Sequence, residues 1–120
     1  MKLQNSMYRI VNSSEETDMI DYQIELNPEH YIYKAHFPGN PITPGVCIIK
    51  MITEVLEQRL DRQLTLLRIS NLKFISTISP LDNKLMDIQL TMNQTDESYH
   101  AKGIVRSEET VFTKFSLVYR

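Results

Sequence analysis

Apolar and polar residues alternate near the end of residues 18–26, DMIDYQIEL: Tyr22, Ile24 and Leu26 fall on one side, Gln23 and Glu25 on the other. A two-residue period predicts a strand with one buried face. The same period runs through KLMDIQLTM, where Leu85, Asp87, Gln89 and Thr91 oppose Met86, Ile88, Leu90 and Met92. Residues 8–11 predict a short strand, closed by a polar turn at NSSEE. QLTLLRISNLKFIS reads as an irregular strand, and YHAKGIVRS and VFTKFSLVY as two more, punctuated by SPLDN, NQTDES and EET. YIYKAHF is short and mixed, and fits extended chain or one irregular turn.

One segment has the other period. From Val46 the apolar residues Cys47, Ile48, Ile49, Met51, Ile52, Val55, Leu56 and Leu60 recur as on a helix, while Lys50, Thr53, Glu54 and Glu57 form one narrow polar stripe. A helix apolar on most sides is usually buried. Pro44 and Gly45 stand at its entry, with Thr43 the expected N-cap. One buried helix beside a long, mostly antiparallel sheet is an α+β layer architecture, and strand twist would curl the sheet around the helix.

With 120 residues, the expectation is a single domain, 1–120. The net charge of −2 argues against a nucleic-acid partner held by a basic surface. One cysteine, Cys47, excludes an internal disulfide framework and suits a reducing compartment. There is no apolar stretch long enough to span a bilayer, and the first residues do not read as a signal peptide, so a cytoplasmic location is expected. No histidine and carboxylate cluster has metal-ligand spacing, and the glycines match neither a P-loop nor a dinucleotide fingerprint, so neither metal nor cofactor is expected.

The candidate chemistry lies just before the helix, in HFPGNPITPGVCII, residues 36–49. This stretch closely resembles the signature of the beta-hydroxyacyl-acyl-carrier-protein dehydratases of fatty acid synthesis, which have the hotdog fold. NLKFISTISPLDN is similar to that family's strand after the helix and its following turn. The resemblance implies a sheet wrapped around a central helix and two subunits joined edge to edge, with active sites between them. It implies an acyl thioester substrate presented by acyl carrier protein. His36 would act on the C2 proton, and the Gly45 amide would bind the thioester carbonyl. Phe37, Pro38, Gly39, Pro44 and Val46 would contact the substrate.

The physical chemistry fits those roles. Dehydration removes a proton next to a carbonyl and protonates a poor leaving group; a neutral imidazole suits the first task near neutral pH. The charge pushed onto the thioester oxygen suits the free N–H groups and positive dipole end of a helix N-terminus. Gly45 has no side chain to block a close approach.

The chain departs from the family at the acid. That carboxylate belongs six residues after Pro44, where this sequence has Lys50; Glu54 stands one turn later, where glutamine is usual. Ala35 also replaces a frequent glycine before the histidine. Lys50 has three readings: a structural partner of Glu54, a proton donor in an apolar pocket, or the mark of a chain whose acid comes from another subunit. The first is preferred for Lys50 itself, and a heterodimer with a related hotdog subunit is preferred among the routes that retain activity over a homodimer. Glu54 is either the partner of Lys50 or a displaced acid. Two other functions stay open: a non-catalytic subunit or acyl-carrier binding module, and a hotdog thioesterase using Glu54 to activate water. Cys47 reads as a buried structural thiol, and His30 and His100 as surface or turn residues.

Overall fold

A computed structural model describes residues 2–35 and 39–120. Six strands and two helices follow in the order β1 (Tyr8–Glu16), β2 (Met19–Leu26), α1 (Tyr31–Ala35), α2 (Gly45–Leu60), β3 (Leu66–Phe74), β4 (Leu85–Gln94), β5 (Tyr99–Ser107) and β6 (Thr110–Tyr119). All strands join one antiparallel sheet in the order β1-β2-β4-β5-β6-β3. The α+β arrangement expected from the hydropathy is present.

The alternating residues land as their period requires. Ile20, Tyr22, Ile24 and Leu26 of β2 are buried opposite Leu90, Ile88 and Met86 of β4, on the face that meets α2. From α2 the residues Cys47, Ile48, Met51, Ile52, Val55 and Leu56 fill the same core. Fully burying such side chains is worth about 1.5–3 kcal/mol each, so this one layer carries much of the stability. Helix α2 ends at Asp61, whose left-handed φ of 52° lets its N–H return to the Glu57 carbonyl.

Three local expectations change. Strand β1 runs through NSSEE to Glu16, because Ser13–Glu16 keep pairing with β2 and the hairpin turns later, at Thr17 and Asp18. YIYKA forms the short helix α1. Pro44, with φ −62° and ψ 145°, occupies the N-cap of α2 in place of Thr43, and no side chain caps the helix. Thr43 is held elsewhere: its N–H donates to the Ile78 carbonyl and its Oγ1 meets the Tyr33 hydroxyl at 2.9 Å.

Strand β3 is one edge of the sheet, and β1 is the other. Strand β3 pairs with β6 alone, its register slips twice, and Leu66, Leu67, Ile69, Phe74 and the adjacent Ile75 remain exposed.

Candidate active site

Gly45 is the first residue of α2, so helical geometry gives its N–H no acceptor within the helix. No described residue accepts from it either. Because the cap is a proline, the helix start is open to a ligand. A pocket of about 300 Å³ lies against it, lined by residues 42–45, Ile48 and residues 74–78. The lining is mainly apolar, with Thr43, Ser76 and Thr77 as its polar side chains. The Phe74 ring closes one side, and a Cβ on Gly45 would stand 2.7 Å from its Cζ. A side chain at Gly45 would have to push the half-exposed Phe74 ring aside, so glycine lets that ring lie against the helix start.

The structure brings Gly45 and Pro44 to this pocket and leaves other candidates away from it. Val46 is 73% exposed and does not line it. Gly39 is exposed, and a Cβ added there would meet nothing within 4 Å. His36, Phe37 and Pro38 lie outside the described residues. The Tyr33–Thr43 hydrogen bond ties the chain before the motif to the middle of the motif, with both side chains buried. Burial raises the Tyr33 hydroxyl above its ordinary pKa, so it stays protonated and available for that bond. Nothing in the sequence singles out Tyr33; its placement near the end of α1, ten residues from Thr43, is a tertiary fact.

Lys50 and Glu54 occupy another face. Five residues along an α-helix amount to about 140° of rotation, which turns Lys50 well away from Gly45. Both residues line an open polar groove with Gln4, Glu57 and Gln58. The apolar surroundings that a proton-donating Lys50 would need are absent there. The Lys50–Glu54 pair expected from their spacing does not form among the described residues. Glu54 is buried instead, at 4% exposure, and its carboxylate serves the N-terminal segment. Leu3 N–H donates to Oε2 at 2.7 Å, Gln4 N–H to Oε1 at 2.8 Å, and Tyr8 O–H to Oε1 at 2.9 Å. Burial, then the Glu54 charge, pushes the Tyr8 hydroxyl far up, so it remains a donor. The signal for this clamp is faint in the sequence: Leu3 and Met7 are apolar residues flanking the polar run Gln4–Ser6, and both prove buried.

The remaining candidates are structural. Cys47 is 2% exposed, and burial raises its thiol pKa, which disfavours the nucleophilic thiolate. His30 sits in the turn before α1 as expected but is buried, its Nδ1 accepting from Ile32 N–H at 3.2 Å. His100 is half-buried on β5. Among the described residues no cluster of histidine, cysteine or carboxylate side chains could hold a metal, and no helix is long and apolar enough to cross a membrane.

Comparison with known proteins agrees with this architecture. The 3-hydroxyacyl-[acyl-carrier-protein] dehydratase FabZ of Fusobacterium nucleatum subsp. nucleatum is 28% identical over 87 residues, 68% of this chain. The match spans 62% of that relative's length. Among solved structures, the dehydratase heterocomplex ApeI:P from Xenorhabdus doucetiae superposes with a TM-score of 0.73 at 14% identity, covering 92% of this chain and 95% of that one. A sigma28-regulated virulence protein from Campylobacter jejuni gives 0.66 at 9% identity, covering 98% and 85%. The structural likeness establishes the hotdog fold, with the sheet around α2. The model of the ApeI-like family, described as ApeI dehydratase, matches residues 12–114, and the chain belongs to that family of hotdog dehydratases.

Proposed function

We propose that this chain, as a single hotdog domain, is the histidine-bearing subunit of a dehydratase acting on 3-hydroxyacyl thioesters carried by acyl carrier protein. The observation that carries the reading is the uncapped start of α2, where the Gly45 N–H opens onto a largely apolar pocket a few residues after the His36 motif. The acyl chain lies along the pocket, and the thioester carbonyl accepts from Gly45 N–H. His36 takes the C2 proton. The electron pair forms the C2–C3 double bond as the C3 hydroxyl leaves, protonated, as water. Negative charge on the thioester oxygen during this step is what an open helix N-terminus stabilises. Pro44 lines the pocket, and with Phe37, Pro38 and Gly39 it belongs in this reading to the substrate-binding rim. Val46 lies beyond that rim.

The proton for the leaving hydroxyl comes from a second, related hotdog subunit. Lys50 stands where the family's acid belongs, and the Glu54 oxygens already accept three hydrogen bonds. The occupied carboxylate also removes the one helix residue a thioesterase would use to activate water. The Xenorhabdus doucetiae neighbour, described as a heterocomplex, supports pairing of this kind. The exposed apolar edge of β3 offers a strand for it.

The alternative, a non-catalytic subunit or carrier-binding module, is favoured by the same lysine. The two separate on a hydration assay of 2-enoyl-acyl-carrier protein followed by mass spectrometry. The chain is purified with its natural partner, beside the same complex carrying His36→Ala. Loss of water addition in the variant supports the dehydratase. Equal rates assign the chemistry to the partner and leave this chain a supporting role.

A further inference from the structure

The open N–H at the start of α2 has a natural competitor for its ligand in the chain beside it. A threonine hydroxyl readily accepts from the backbone N–H two residues on, a turn in which the side chain takes the place of a backbone acceptor. Thr43 stands two residues before Gly45, and Pro44 between them has no N–H to offer. The other polar side chains of the pocket, Ser76 and Thr77, come from the segment after β3. A helix start with the Thr43–Gly45 bond made would be closed, and its N–H occupied before any ligand arrived.

In the structure that bond is not made. The Thr43 Oγ1 meets the Tyr33 hydroxyl at 2.9 Å instead, and Gly45 N–H donates to no described residue. Thr43 is further fixed by its own N–H, which donates to the Ile78 carbonyl at 2.8 Å. Tyr33 is fixed too: its ring packs in the hydrophobic core, and its N–H donates to the His30 carbonyl at 3.1 Å. His30 is itself buried and accepts from Ile32 N–H, so the turn that aims Tyr33 is bonded from within. Packing alone does not call for this pair of hydroxyls. Replacing both partners of a buried hydrogen bond by apolar groups of the same shape is nearly neutral, so the pair adds little to stability. Its effect lies in where it points the Thr43 oxygen.

We propose that Tyr33 is a positioning residue: it holds the Thr43 hydroxyl off the Gly45 N–H and so keeps the helix start open for the thioester carbonyl, an inference that rests on the function proposed above. Tyr33 acts through Thr43 and needs no contact with the reacting atoms. Without the Tyr33 hydroxyl, the Thr43 Oγ1 turns to the unsatisfied donor two residues on. The substrate carbonyl then has to displace it, both on binding and as charge builds on the thioester oxygen.

Four proteins test this, each the full chain purified with its natural partner: the parent, Tyr33→Phe, Thr43→Val and the double variant. Rate is read as kcat/KM for hydration of 2-enoyl-acyl-carrier protein, and stability as Tm. The helix start is read as the temperature dependence of the Gly45 amide proton shift, in chain labelled with 15N-glycine. Tyr33→Phe should lower kcat/KM about three- to tenfold, the contribution of one net hydrogen bond, and its Gly45 amide should gain the weak temperature dependence of an internally bonded proton. Thr43→Val leaves the Tyr33 hydroxyl buried without a partner, so it should melt lower than Tyr33→Phe and yet turn over faster. Adding Thr43→Val to Tyr33→Phe should raise kcat/KM again and return the Gly45 amide to its parental behaviour. A bond that only stabilises the fold predicts the opposite order, with the variant that melts lower working less well. That order, a double variant no faster than Tyr33→Phe, or a Gly45 amide unmoved by Tyr33→Phe overturns the proposal. The amide is read without turnover, so an inert parent complex refutes the dehydratase reading alone, and an active complex whose Gly45 amide ignores Tyr33→Phe refutes the role of Tyr33 alone.

Discussion

Replacing Glu54 separates its two possible roles. Glu54→Ala orphans the buried Leu3 N–H and Tyr8 O–H, while Gln4 N–H, only part-buried, can turn to water. An unsatisfied buried donor costs about 1–3 kcal/mol, so the variant with two of them should lose about 2–6 kcal/mol. For a chain of 120 residues each kcal/mol is worth about 4 °C in Tm, giving a fall of about 8–24 °C. Glu54→Gln keeps the shape and one accepting oxygen but turns an NH2 toward donors, and should cost about 1–3 kcal/mol. Tyr8→Phe removes one donor and should cost about 1–2 kcal/mol. Because the groups share one network, Tyr8→Phe and Glu54→Gln together should cost less than their sum by at least about 0.5 kcal/mol. Urea unfolding of the parent and these variants, with the m-value checked for constancy, measures all of this. A Glu54→Gln protein within about 0.5 kcal/mol of the parent that has lost turnover would refute the clamp and restore Glu54 as a displaced acid.

Two other substitutions test the sheet. Gly103 sits on β5 opposite Leu90, and a Cβ there would lie 2.7 Å from the Leu90 Cα and also collide with the Gln89 backbone. Gly103→Ala should therefore cost about 3 kcal/mol or more by thermal unfolding, because strand backbone cannot step aside as a side chain can; a shift under about 1 kcal/mol would mean that the strands separate freely. Asp87 is held above its ordinary value by burial first and by Asp21 second, with Arg106 opposing. A raised carboxylate binds its proton more tightly in the folded state, so its contribution to stability falls as pH rises from the ordinary carboxylate value of 3.8 through the raised value. Asp87→Asn should consequently raise Tm at pH 7, with the gain shrinking as pH falls toward that value; a lower Tm at pH 7 would show that the attraction of Arg106 dominates.

The fold is largely legible in the sequence, and the reason is local. Strands β2 and β4 have one face on α2 and one toward solvent, so alternation encodes them directly. Helix α2 shows its period for the same reason. What the sequence hides is decided by distant contacts. NSSEE looks like a turn because its composition is polar, yet pairing with β2 holds it extended. The spacing of Lys50 and Glu54 suggests a helical pair, but donors 46 to 51 residues away in the chain claim the carboxylate. Thr43 looks like an N-cap, and the Tyr33 hydroxyl has taken its oxygen. At the site, the helix start and Gly45 are readable from the Pro-Gly spacing, whereas the Phe74 wall against Gly45 depends on where β3 returns.

The central claim is a site built from His36 of one subunit and an acid on α2 of another. A mixed dimer tests it most directly. The parent chain has His36 and lacks the acid. A chain carrying both His36→Ala and Lys50→Glu has the acid and lacks the histidine. The two are purified separately and co-refolded, dimer formation is checked by native mass spectrometry, and hydration of 2-enoyl-acyl-carrier protein is measured. The account predicts negligible activity for either chain alone and clear activity for the mixture. A doubly substituted chain that is active by itself, or mixed dimers that form and stay inert, would contradict it.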